Sequence, residues 1–236
     1  MSIIKEGKNI IGVYKGDIPI LKIFKHNNLV YQHSSTGGTE TQYDIISTFN
    51  VTSTTSPTQL CYSSATSAFT EMYVDDVKID VTSAYTFNTT GEHTVNYILS
   101  DKTAIVRNAF QNCSGLTSVT IPDSVKSIGI WAFGRCTSLT SITIPNSVTI
   151  IGNYDFLDCT SLTSVYIGSG VTSIGNYSFY NCTSLNSITC YATTAPSLGT
   201  SVFYKFESNG KLYVPQGSDY STWTAILRSW KIQYLT

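Results

Sequence analysis

Between residues 103 and 195 the chain returns to one pattern every 23 residues, and this recurrence limits its possible folds more than any other feature. Phe110, Phe133, Phe156 and Phe179 stand at that spacing, as do Cys113, Cys136, Cys159 and Cys182, and Leu116, Leu139, Leu162 and Leu185. Further apolar columns run through Val119, Ile142, Val165 and Ile188, through Ile121, Ile144, Ile167 and Cys190, and through Ile105, Ile128, Ile151 and Ile174. A unit this short cannot bury its own apolar face, so stacked neighbours must supply the core. The expected architecture is mainly β: a short solenoid of about four coils preceded by small β modules.

Each unit reads as a strand of the form LTSITIP, a turn at Pro122, Pro145 or Gly168, a second short strand, and one helical turn ending in F-x-x-C. Gly129, Gly152 and Gly175 follow the second strand, where a reversing chain suits a residue free to take positive φ. The cysteine column predicts a buried row of thiols. Equivalent slots in stacked coils lie about 4.7 Å apart with parallel side chains, whereas a disulfide needs converging Cβ atoms near about 3.8 Å.

Two surface rows are candidate ligand contacts. Trp131, Tyr154 and Tyr177 fill one slot of three successive coils, two residues after the glycine, and should stack. Such a row either packs across coils at the convex edge or offers a platform to sugar rings or an apolar partner. On the first strand the outward positions include Thr120, Thr143, Tyr166 and Thr189, a hydroxyl ladder with Tyr166 as its bulky intrusion. It serves either as an ordinary solvated face or as a binding face.

The flanks divide by composition. Residues 1–31 read as short strands, IIGVYK, ILKIFK and NLVYQ, in a small β module too slight to be stable alone. Residues 32–42, QHSSTGGTETQ, have the make-up of a linker. Residues 43–100 carry several strand-like runs and suggest an all-β, sandwich-like module. Residues 103–195 hold the repeats. Residues 196–236 retain Phe203 and Pro215 at altered spacing, as a degenerate last coil would, and Tyr220, Trp223, Trp230 and Ile232 could form the apolar face of a capping helix.

Charge narrows the functions available. Only 12% of residues are charged, so Ser, Thr and Asn carry the polarity, which favours β structure over helix. Residues 1–31 hold five lysines against Glu6 and Asp17, and residues 34–100 hold seven acids against Lys78, while the repeats are balanced. No basic stripe points to nucleic acid. Lys5, Glu6 and Lys8 interrupt the first apolar runs before a signal-peptide core forms, and no stretch approaches the roughly 20 apolar residues of a membrane span. The expectation is a chain made and folded in a cytoplasm, without membrane insertion.

No nucleophile elbow, phosphate-cradling glycine loop or zinc-spaced Cys/His set is present, so no catalytic residue, metal ligand or cofactor is expected. The acids of VDDVKID lack the alternating oxygens and fixed glycine of a calcium loop and read as a solvated hairpin.

The columns C-T-S-L-T-S-I-T-I-P-x-S-V-T-x-I-G-x-x-x-F resemble the BspA-like type of leucine-rich repeat, and the ending Y-V-P-x-G-S-x-x-Y-x-x-W is similar to the tail that closes such arrays. That resemblance implies a structural or adhesive protein of host-associated bacteria, though typical members carry signal peptides and longer arrays. The segment GVYKGDIPILKIFKHNNLVYQ resembles small β modules at the start of tail, fibre and decoration proteins of gut Bacteroides (crAss-like) phages. It implies attachment to other virion proteins through Tyr14, Ile20, Ile23, Phe24, Val30 and Tyr31, with homo-oligomerisation as a further possibility. The implied role is a non-enzymatic virion protein, assembled in the host cytoplasm, whose solenoid meets a host-surface glycan or protein; the alternative is a bacterial cell-surface or secreted adhesin.

Overall fold

The computed structural model describes the backbone of residues 2–6, 9–15, 18–25, 28–33 and 43–235 apart from 207–208 and 228–229, and side chains from residue 43 onward with the same gaps. The chain divides into two compact units, residues 1–43 and 44–236.

The first unit is a four-stranded antiparallel meander of β1 (Ser2–Glu6), β2 (Asn9–Lys15), β3 (Ile18–Lys25) and β4 (Asn28–His33). The register places Val13 opposite Ile20 and Ile23 opposite Val30, and β1 joins β2 through a bulge between Ile4 and Lys5. The side chains of Tyr14, Ile20, Ile23, Phe24, Val30 and Tyr31 lie outside the described residues.

The second unit opens with β5 (Ile45–Val51), β6 (Thr58–Gln59), a 3-10 turn at Ser63–Ala68, β7 (Phe69–Val74), β8 (Val77–Ile79), β9 (Ala84–Tyr85) and β10 (Gly91–Leu99). Asp75 and Asp76, with φ of 48° and 66°, form the two-residue turn between β7 and β8. The Asp75 carboxylate accepts the Thr94 N–H at 2.9 Å and meets His93 Nδ1 at 2.7 Å, so its acid serves the hairpin.

The coils follow. Their long strands are β12 (Leu116–Thr120), β14 (Ser141–Ile144), β16 (Ser164–Ile167), β18 (Ser187–Cys190), β20 (Lys211–Pro215) and β21 (Lys231–Leu235). Their short strands are β11 (Ala104–Ile105), β13 (Ser127–Ile128), β15 (Ile150–Ile151), β17 (Ser173–Ile174) and β19 (Ser197–Leu198). From β14 to β21 the long strands pair in parallel with equivalent residues side by side, Ile142 to Val165 to Ile188 to Leu212 to Ile232. The solenoid thus runs past its four regular repeats, because β20 and β21 keep the register after the sequence spacing has changed.

The first long strand is held differently. β12 pairs antiparallel with β5, in a five-stranded sheet ordered β12-β5-β10-β7-β8. Thr117 Oγ1 donates to Thr48 O at 3.1 Å, and Asn50 N donates to Gly115 O at 2.8 Å. One buried cluster therefore continues from Ile45 through the coils to Trp230.

Inside the solenoid the phenylalanines form a stacked column, Phe110 to Phe133 to Phe156 to Phe179 to Phe203, with centroids 5.1–5.5 Å apart. Burying each such ring contributes about 1.5–3 kcal/mol. All six cysteines are buried and free. Three of their thiols, on Cys136, Cys159 and Cys182, donate to the carbonyls of Phe110, Phe133 and Phe156 in the preceding coil at 3.1–3.2 Å.

The glycine column answers to packing. Gly129, Gly152 and Gly175 do not take positive φ. A Cβ on Gly129 would sit 2.5 Å from Arg107 N, and one on Gly175 2.5 Å from Asn153 Oδ1, so the close approach of the preceding coil excludes a side chain. Left-handed backbone falls instead on two other columns: Asn108, Trp131, Tyr154, Tyr177 and Ser201, and Asn112, Arg135, Asp158, Asn181 and Lys205.

At the C-terminal end the helix α1 is short, Ser221–Leu227, and buries Trp223 and Leu227 one turn apart. Trp223 Nε1 donates to Pro196 O at 2.8 Å and Tyr220 OH to Ala192 O at 2.7 Å. Trp230 is buried beyond the helix and Ile232 lies on β21, so the four apolar residues do not share one helix. The chain returns as a strand because the edge of β20 would otherwise be left unpaired.

Candidate functional site

The αL position two residues after the glycine turns each side chain out of the coil at the same place, which brings Trp131, Tyr154 and Tyr177 into one row. Trp131 and Tyr154 stack with centroids 4.9 Å apart and planes 14° from parallel; Tyr154 and Tyr177 stack at 5.4 Å and 2°. All three are half-buried. Tyr180 meets Tyr177 edge-on at 5.7 Å and stacks on Tyr204 at 5.2 Å, which extends the array by two rings.

Beside it runs the second left-handed column. Arg135 Nε lies 3.6 Å from Asp158 Oδ2, and Asn181 Nδ2 donates to Asp158 Oδ1 at 2.9 Å. The Arg135 guanidinium also sits 5.8 Å from the Trp131 ring centroid. Because the rings lie face to face, the faces within the row are occupied by their neighbours. A ligand here meets ring edges and hydroxyls, so the row is built for cross-coil packing more than as a platform for a sugar ring.

The sheet face differs. Thr143 and Tyr166 are exposed, Tyr166 by 39%, while Thr120 is half-buried beside β5. Thr189 is only 7% exposed. Register gives the reason: it lies between Tyr166 on β16 and Tyr213 on β20, and the two larger side chains cover it. Tyr213 was missed because the spacing slips by one in the degenerate coil, 24 residues separating it from Thr189. Aligning Pro215 with Pro145 would have placed Tyr213 in this row, since both prolines close their strands.

A model of the BspA type leucine rich repeat region matches six copies over residues 103–220, half of the chain. The chain belongs to this family. The copies reach Tyr220, in agreement with the parallel register kept through β20. Among solved structures, the BspA-type chain is similar to a leucine-rich repeat protein from Bacteroides ovatus, at 27% identity and a TM-score of 0.40, over 57% of this chain and 28% of that one. It thus spans less than a third of that protein's length. No curated protein matches it.

Proposed function

We propose that this chain is a non-enzymatic virion structural protein in which residues 1–43 attach to other virion proteins and the solenoid is displayed for adhesion to a host-surface glycan or protein. The observation that supports it best is the division of labour along the chain. A small meander forms its own sheet and its own compact unit, while the repeats and their flanking strands share one continuous core. The basic balance of residues 1–31 and their resemblance to phage modules suit attachment, and the exposed sheet face of the coils suits recognition. Immunogold labelling of purified particles with antibody against residues 44–236 tests it: decorated particles are expected, and bare particles overturn it.

Membership of the BspA-type family favours a second reading, a bacterial cell-surface or secreted adhesin. Capsid and tail genes beside the coding sequence support the first reading; surface-polysaccharide or transport genes support the second. In either case homo-oligomerisation through residues 1–43 would show in light scattering of the full chain.

A further inference from the structure

The outward rows of the last strands carry a second pattern, distinct from the hydroxyl ladder. Tyr166, Thr189 and Tyr213 are register partners across β16, β18 and β20. Strands in one sheet lie about 4.8 Å apart, so the two tyrosines stand on strands roughly 10 Å from one another, with the buried Thr189 between and beneath them. Among the described residues neither ring packs on another aromatic ring, unlike the rings of the stacked row, and Tyr166 is exposed.

One pleat away runs the row Ser164, Ser187, Lys211 and Lys231. Both lysines are exposed, and among the described residues neither forms an ion pair. Like charges directly opposite on neighbouring strands destabilise a sheet. An anion resting between the two ammonium groups removes that penalty.

At the N-terminal ends of the same strands lies a cavity of about 330 Å³ lined by Thr163, Ser184, Asn186 and Asn209. Asn186 interrupts a threonine column in which Thr140 and Thr163 donate to the carbonyls of Thr117 and Thr140, at 3.3 and 2.9 Å. Its amide makes no such bond, and the side chains of Ser184 and Asn209 likewise have no partner among the described residues. Uncharged amides and hydroxyls left free at the wall of a cavity suit a ligand rich in hydroxyls.

We propose that this face binds an acidic saccharide. One sugar ring lies against Tyr166 and Tyr213, its carboxylate or sulfate rests on Lys211 and Lys231, and a neighbouring unit places its hydroxyls in the cavity. Ring faces accept the apolar face of a sugar, and charge-assisted hydrogen bonds fix the acid. Two cations on an otherwise balanced surface match one acidic group and not the phosphate ladder of a nucleic acid. The proposal rests on the recognition role argued above and names its ligand class.

The test is calorimetric titration of the full chain with a hexuronic-acid oligosaccharide, its carboxyl-reduced counterpart, and a sulfated oligosaccharide of equal length. The acidic sugars should bind about tenfold more tightly than the neutral one. K211Q/K231Q should bring acid binding down to the neutral level and abolish its salt dependence. Tyr166→Ala, at an exposed site that folding tolerates, should weaken all three sugars, whereas Trp131→Ala should leave them unchanged. Tighter binding by the sulfated or by the carboxylated sugar identifies the acid, and either supports the proposal. Equal binding of acidic and neutral sugars, no binding of any, or acid binding unaltered in K211Q/K231Q overturns it. Particle labelling is read separately, so failure here leaves the display reading standing.

Discussion

Asp155 and Ser178 occupy the same slot of successive coils, yet only the serine is fully satisfied. Ser178 Oγ lies 2.7 Å from Gly152 O and 2.6 Å from Gly175 O, whereas Asp155 accepts the Gly152 N–H at 2.6 Å through Oδ2 and leaves Oδ1 buried without a hydrogen-bond partner. Burial pushes the Asp155 carboxyl well above the usual carboxylate range, against the opposing pull of backbone N–H groups led by that of Gly152. The folded chain therefore holds a proton that the unfolded chain releases.

The sign of the pH dependence follows. A carboxyl whose folded pKa is raised gives stability that is complete below about pH 3.9, the unfolded value, and falls as pH rises through the folded pKa. Asp155→Ser should raise stability at neutral pH by about 1–3 kcal/mol, the cost of an unsatisfied buried group, and flatten this slope. Urea unfolding between acidic and neutral pH checks both.

Tyr154 holds a left-handed backbone, φ 62°, that costs a non-glycine residue about 1–2 kcal/mol. Its two stacking contacts offset part of this, each worth about 0.5–1.5 kcal/mol. Tyr154→Ala should lose the stacking and keep the strain. Tyr154→Asn loses the same stacking but relaxes the strain, since asparagine tolerates this conformation and already stands at Asn108 in the column. The Asn variant should be the more stable of the two by about 1 kcal/mol in chemical denaturation; equal losses would remove backbone strain from the account.

The cysteine column should be chemically silent. Burial pushes the Cys159 thiol up to about 12, and Cys113, Cys136 and Cys182 are raised by the same cause. A thiol alkylated only as thiolate is then protected in the native chain. Modification by iodoacetamide at mildly alkaline pH should proceed no faster than unfolding. Mass spectrometry with and without urea reads the difference.

Phe49 is fully buried on β5 and stands opposite Leu116 on β12. Phe49→Ala should destabilise residues 44–236 as a whole by about 3–5 kcal/mol, in a single transition, because the strands before the coils and the coils share one core. Two separate transitions would mean the repeats hold together without β5.

The repeat was legible because each column repeats one physical demand: a Phe stack, a thiol donating to a carbonyl, an isoleucine facing inward. What escaped a linear reading was set by neighbours distant in sequence. Nothing in LTSVT says that β12 takes an antiparallel partner 69 residues earlier, the separation of Thr117 from Thr48. The glycines read as positions for positive φ, whereas Gly129 and Gly175 are hemmed in by the preceding coil and Gly152 by its own Asp155. The aromatic row was legible as a stack, whereas stacking itself uses up the faces a sugar would need. Thr189 was legible as outward-pointing; its burial needed Tyr213, hidden by one extra residue of spacing.

The antiparallel seam between β5 and β12 has an evolutionary consequence. A parallel ladder ends where its neighbour runs the other way, so no further long strand can join it in parallel beyond that seam. Any change in the array's length by recombination between near-identical 23-residue units must fall on the far side of β12, within the ladder that starts at β14. Relatives could then differ in reach while keeping the same first coil, much as a ruler is lengthened from one end only.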